Sequence, residues 1–221
     1  MNNTRVMILA AGQADRWTEP YPKQLARIAG VPLLDRTVSQ LAAWGLRPTV
    51  ITHNIGITDF IGSRNLCNVW PPYRHRWTCE TLLSSFPLWG NPTIVLLGDV
   101  VFGDRDLADV LAPTDYITIY HNTDIGELMA IQFNKVHADR VKTKLFDVVE
   151  DSAAGRCRGK MWEWYNRIRI GGGIRSVRLN RSMDIDTVED WHEINAIYTR
   201  GRQDMADAWA GVKPYRGGGE R

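Results

Sequence analysis

The stretch Val6–Leu25, "VMILAAGQADRWTEPYPKQL", decides how the chain reads. Arg5–Leu9 is a short aliphatic run that closes in Ala10-Ala11-Gly12. A run that is apolar without alternation is buried on both faces, as in a parallel sheet. Directly after this buried strand stand two cations, Arg16 and Lys23. Small side chains let a ligand approach the backbone, and successive N–H groups cradle anions. Arg16 offers a planar fork for phosphate oxygens and Lys23 a mobile point charge. Leu9, Ala10, Ala11, Gly12 and Gln13, with Arg16 and Lys23, are therefore candidates for holding a polyphosphate; a solvated loop with incidental charge is the plainer alternative. The segment has neither the Gly-Lys-Ser/Thr of a P-loop nor the Gly-x-Gly-x-x-Gly of a dinucleotide site.

Beyond that stretch, Leu33–Leu41 has helical spacing and runs to Gly45, which suits a helix end. Thr49–Thr52, Asn68–Trp70, Thr93–Leu97, Tyr116–Tyr120 and Leu128–Phe133 read as strands. Thr78 and Thr81 are candidate N-caps of a short helix over "TCETLLSSFPLW". Strands alternating with helices predict an α/β fold with a mainly parallel sheet, in which ligands bind beyond the carboxyl ends of the strands. Gly12 and Asp99 both sit just past such ends and should converge on one crevice. Asp99 closes a very apolar strand, so its carboxylate must be paired, capping something or holding a metal. In "DIDT", Asp184–Thr187, either Asp186 or Thr187 can cap a helix, a role compatible with metal binding. Thr187 and Asp190 resemble a capping box, and Trp191, Ile194 and Ile197 then recur at helical spacing.

The second half reads as less regular. Arg156–Arg181 holds eight cations against one acid, Glu163, and is broken by Gly171–Gly173. "MWEWY", Met161–Tyr165, reads as an amphipathic or core element or as an aromatic cage. The five histidines, at 53, 75, 121, 137 and 192, have no metal-ligand spacing. Residues 1–205 are expected to form one domain and 206–221 a tail.

The 221 residues suffice for one sizeable core, and a net charge of +2 does not by itself argue for nucleic acid. Three separated cysteines support neither a zinc site nor a disulfide framework, and a reducing, cytoplasmic setting is expected. No apolar run is long enough to span a membrane.

Three segments together, "LAAGQADR…PKQL", "LLGDVVF" and "DIDTVEDW", resemble the nucleotidylyltransferases that join a nucleoside triphosphate to a phosphorylated small molecule. That family includes the sugar-1-phosphate, phosphocholine and methylerythritol-phosphate enzymes and the molybdenum-cofactor guanylyltransferases. Gly12, Arg16, Pro22 and Lys23 match its pattern, and Ala14 stands where the family has a second glycine. The resemblance implies a doubly wound, Rossmann-like, glycosyltransferase-A type α/β domain. It implies a Mg²⁺-dependent enzyme that transfers a nucleoside monophosphate to a sugar phosphate or phosphoalcohol and releases pyrophosphate. Arg16 and Lys23 would hold the triphosphate, and Asp99 with Asp186 the Mg²⁺. The helix start at Thr78 would read base and ribose. Residues 120–180 match nothing familiar, and in this family that region shapes the acceptor site. The charge of Arg156–Arg181 and the aromatic residues within it make Arg167, Arg169 and Trp162 acceptor candidates, the other readings of the run being a solvated basic face or a nucleic-acid contact. The alternatives are a nucleotide-sugar-dependent glycosyltransferase, which needs no Pro-Lys, and a catalytically weak nucleotide- or nucleic-acid-binding protein.

Overall fold

The computed structural model describes residues 4–12, 15–63, 67–70, 77–122 and 127–209, so the expectations for Gln13 and Ala14 lie outside the described residues. The first half runs β1 (Arg5–Leu9), β2 (Arg27–Ile28), β3 (Val31–Pro32), α1 (Leu33–Ala43), β4 (Thr49–Ile51), α2 (Ile55–Gly62), β5 (Asn68–Trp70), α3 (Thr78–Ser84), β6 (Thr93–Leu97), β7 (Val100–Val101) and α4 (Asp104–Leu111). The second half runs β8 (Ile117–Asn122), β9 (Glu127–Phe133), α5 (Lys135–Ala153), α6 (Met161–Ile168), β10 (Ile174–Arg178), β11 (Met183–Asp184) and α7 (Val188–Trp209).

Seven strands form one sheet in the order β10-β8-β9-β6-β1-β4-β5. All neighbours pair in parallel except β9, which runs antiparallel to both β6 and β8. The absence of alternation in β1 has a direct cause. Val6, Ile8 and Ala10 enter a core completed by α1, α2 and α4, through Leu34, Val38, Ile57 and Leu107. Met7 and Leu9 enter the opposite core, completed by α3, α5 and α6 through Leu82, Val141, Leu145 and Trp164. Helices thus cover both faces, and the fold is the doubly wound α/β class. A third, smaller core lies beneath the β2–β3 hairpin, where Ile28, Leu33, Val101, Ile185 and Ile194 meet Trp17.

Two local expectations are corrected. The N-cap of α3 is Trp77, not Thr78 or Thr81: Glu80 accepts the Trp77 N–H at 3.3 Å, while Thr81 Oγ1 donates back to the Trp77 carbonyl at 3.2 Å. The second half is regular, because Val141, Leu145 and Val148 give α5 a buried stripe at helical spacing. The helix expected from Trp191, Ile194 and Ile197 forms as α7, in which Ile194 is buried beside the partly buried Trp191 and Tyr198 while Ile197 is 49% exposed.

Candidate functional site

The chain leaves β1 through α1 toward β4 and β5, whereas β6 lies on the other side of β1. The strand order therefore reverses between β1 and β6, and a crevice opens beyond their carboxyl ends. The two ends are clasped. Gly98 N–H donates to the Leu9 carbonyl at 2.9 Å, and a Cβ at Gly98 would lie 2.7 Å from that oxygen. Ala10 N–H donates to Ile51 O at 2.9 Å, and Thr52 Oγ1 donates to Ala10 O at 2.8 Å. Leu9 and Ala10 are thereby committed to the sheet, as the footing of the loop that starts at Gly12. Leu9, Ala10 and Ala11 are buried.

On the β6 side, Asp99 follows Gly98 and β7 follows at once. β11 pairs with β7 antiparallel, setting Asp184 opposite Val100, and Ile185 N–H donates to Asp99 O at 3.0 Å. This two-stranded ribbon brings residues distant in sequence to one point. One carboxylate oxygen from each of Asp99, Asp184 and Asp186 lies within 4.8 Å of the others. The capping role expected at Asp186 or Thr187 falls to Thr187. Its Oγ1 accepts Asp190 N–H at 3.1 Å, and Asp190 accepts the N–H groups of Thr187 at 2.8 Å and Asp186 at 3.1 Å. Asp186 keeps its side chain for the crevice.

Lys23 meets this cluster from the loop. Pro22 and a 3-10 turn over Lys23–Leu25 bury the side chain, which is 8% exposed. Its Nζ lies 2.7 Å from Asp99 Oδ2 and 3.3 Å from Asp186 Oδ1, and donates to Ile185 O at 2.8 Å. Burial works to lower the Lys23 pKa, but Asp99, Asp184 and Asp186 together outweigh it and raise the value. Arg16, 62% exposed, pairs with Asp186. Three carboxylates thus face two cations. Trp17, not singled out in the sequence, anchors the loop: its Nε1–H donates to Tyr21 O at 2.7 Å, and its ring meets Tyr21 and Trp191 edge-on.

A set of three carboxylates with hard oxygen donors suits a divalent cation such as Mg²⁺, which takes one or two carboxylates together with substrate phosphates. Asp99, Asp184 and Asp186 fit that requirement, and Asp184 joins the two carboxylates expected from sequence.

The remaining candidates stand on other elements. Thr78 is half-buried in the first turn of α3, which Cys79 N–H ties to Gly159 O at 3.1 Å. Trp162 is 52% exposed on the first turn of α6. Arg167 braces α6 against α5, pairing with Asp151 at 2.6 Å and donating to Asp147 O at 3.0 Å. Arg169 lies in the turn before β10, whose first residue is level with Ile117, Phe133 and Thr93 through the pairings β10–β8, β8–β9 and β9–β6. That is the amino-terminal edge of the sheet relative to β6, opposite the edge that carries Asp99. The structure brings Arg16, Lys23, Asp99 and Asp186 together, and does not bring Arg167 or Arg169 to them.

Residues 6–134 match the MobA-like NTP transferase domain, and the chain belongs to that family. Among solved structures it is similar in fold to a Bacillus anthracis protein assigned as a glucose-1-phosphate thymidylyltransferase, at 15% identity and TM-score 0.66, covering 89% of this chain and 95% of that one. The CTP:phosphocholine cytidylyltransferase of Streptococcus pneumoniae gives 15% identity and TM-score 0.59, covering 88% and 99%. The inositol-1-phosphate CTP transferase of T. maritima gives 11% identity and TM-score 0.65, covering 90% and 97%. No helix among the described residues is long and apolar enough to cross a membrane.

Proposed function

We propose that the protein transfers a nucleoside monophosphate from a nucleoside triphosphate to a phosphorylated small molecule, a sugar phosphate or phosphoalcohol, and releases pyrophosphate. The observation that carries this reading is the convergence of Lys23 and Arg16 with Asp99, Asp184 and Asp186 at the switch point between β1 and β6. The solved relatives support the acceptor class, since each is described as acting on a small phosphorylated alcohol or sugar.

An oxygen of the acceptor phosphate attacks the α-phosphorus, a new phosphoanhydride bond forms, and the bond to the bridging oxygen of the β-phosphate breaks. The acceptor phosphate is largely ionised near neutral pH, its second pKa being about 6, so no strong general base is required. Alignment and charge neutralisation do the rest. Lys23 is the residue for the developing charge: its ammonium is buried, and its raised pKa keeps it cationic throughout the neutral range. Arg16, exposed on the loop, supplies a planar fork for the outer phosphates. Asp99, Asp184 and Asp186 would hold Mg²⁺, which when bound neutralises phosphate oxygens and orients the α-phosphate. The cytoplasm, where thiols stay reduced, is the compartment this reading implies.

The test is phosphorus NMR of the full chain with each nucleoside triphosphate, Mg²⁺ and a panel of phosphorylated sugars and alcohols. A diphosphate-bridged product and free pyrophosphate in equal amounts is the expected outcome. Pyrophosphate absent under every pairing contradicts the reading.

A further inference from the structure

Among the described residues, only two charged residues are buried: Lys23, at the site, and Asp106. A buried carboxylate is costly unless hydrogen bonds satisfy it. Asp106, 6% exposed, sits in the first turn of α4, three residues after the N-cap Gly103. An acid at that position ordinarily folds back on the N–H of its own cap. Here the arrangement is different. Asp106 Oδ2 accepts Arg181 N–H at 2.7 Å and Ser182 Oγ–H at 2.8 Å, and the Gly103 N–H goes to Ser182 Oγ at 3.3 Å. The helix start is thus used to grip a segment nearly eighty residues away. The grip is close, because a Cβ at Gly103 would lie 2.8 Å from both Cβ and O of Arg181.

The gripped residues lead directly into Met183–Asp184, which pair with Val100–Val101, and Ile185 N–H then reaches Asp99 O. The ladder that sets Asp184 and Asp186 beside Asp99 is only two residue pairs long, too short to hold its register by itself. We propose that Asp106 is a positioning residue of the carboxylate cluster: through Arg181 and Ser182 it fixes the strap 181–186, so that Asp184 and Asp186 stay within ligand distance of Asp99. The proposal rests on the cation-binding reading of that cluster, and the experiment separates the two.

Mn²⁺ binding to the full chain is measured by calorimetry for wild type, Asp99→Asn, Asp106→Ala, Asp106→Asn and Ser182→Ala. Amide exchange of Ile185 is followed in parallel, with Ile8 in the sheet centre as reference. Loss of a side chain that orients a ligand weakens metal affinity about 10- to 100-fold. Asp106→Ala should fall in that range, Asp106→Asn should recover part of it by keeping one acceptor, and Ile185 should exchange faster in both while Ile8 does not. Asp106→Asn and Ser182→Ala carry the test if Asp106→Ala does not fold. Wild-type Mn²⁺ affinity together with wild-type Ile185 exchange in the folded variants overturns the proposal. If wild type binds no Mn²⁺, or Asp99→Asn binds as well as wild type, the cation-site reading falls, and the Ile185 exchange rate alone decides whether Asp106 holds the strap.

Discussion

Lys23 stands between the metal-type cluster and the loop, and the two roles make opposite demands on one substitution. Its ammonium lies against Asp99 and Asp186, so it competes for the carboxylates that would hold a divalent cation. Lys23→Met removes that competitor and leaves three carboxylates facing each other. In the absence of nucleotide the variant should therefore bind Mn²⁺ more tightly than wild type, by calorimetry, while turnover falls by about two orders of magnitude or more, as when a donor to developing charge is lost. Weaker Mn²⁺ binding in a folded Lys23→Met would show that the lysine supports the cluster rather than competing within it. The carboxylates can also be ranked. The Asp99 carboxylate lies closest to Lys23, at 2.7 Å against 3.3 Å for Asp186, so Asp99→Asn should cost most, with Asp186→Asn next because it also loses the pair to Arg16. If Asp184→Asn matches Asp99→Asn in turnover, Asp184 shares the cation fully.

At the scale of elements, the start of α7 shows how a cap can serve a site. Asp190 takes the N–H groups of both Thr187 and Asp186. Burial works to raise its pKa, but those two bonds and nearby Arg16 outweigh it and hold the carboxyl below its ordinary value. A depressed carboxylate contributes stability above its unfolded pKa, about 3.9, and loses it as pH falls through the folded value. The drop in melting temperature on acidification below about pH 4 should accordingly be shallower in Asp190→Asn than in wild type. A different expectation holds for α5, whose Leu145 is buried far along the chain from any site residue. Leu145→Ala should destabilise by about 2–5 kcal/mol through the cavity left behind, with turnover per folded molecule unchanged.

These elements also show what the sequence discloses. β1, β6 and the loop to Lys23 were legible because a strand buried on both faces is apolar without interruption, and because the cations follow it immediately. Thr187 and Asp190 were legible because a capping box is local. The stripe Val141, Leu145, Val148 was readable in principle, but the charges between its members masked it, so α5 went unrecognised. The arginines at 167 and 169 show a related limit of local pattern: charge density marks a surface but not which edge of the sheet it lies on. Arg167 proved to be paired with Asp151, an acid outside the basic run that suggested it. Asp106 could not be found from sequence at all, since its partners Arg181 and Ser182 come to it only through tertiary structure.

At the scale of the whole molecule, each piece of the site belongs to a different part of the chain. The loop after β1 brings Lys23, the end of β6 brings Asp99, and the ribbon before α7 brings Asp184 and Asp186. Two cores hold the sheet between helices, and the third core seats the hairpin, the ribbon and α7 together beneath the cluster. The assembly makes sense if one ligand must touch all three segments, as a metal-bound triphosphate would. The most direct measurement is the steady-state rate of pyrophosphate release, with Mg²⁺, each of the four nucleoside triphosphates and a pool of phosphorylated sugars and alcohols, for wild type and Asp99→Asn side by side. Catalysis at this cluster predicts release that depends on both a triphosphate and an acceptor in wild type, and that falls by about two orders of magnitude or more in a folded Asp99→Asn. Release at the same rate in both proteins, or from neither under any pairing, would contradict it.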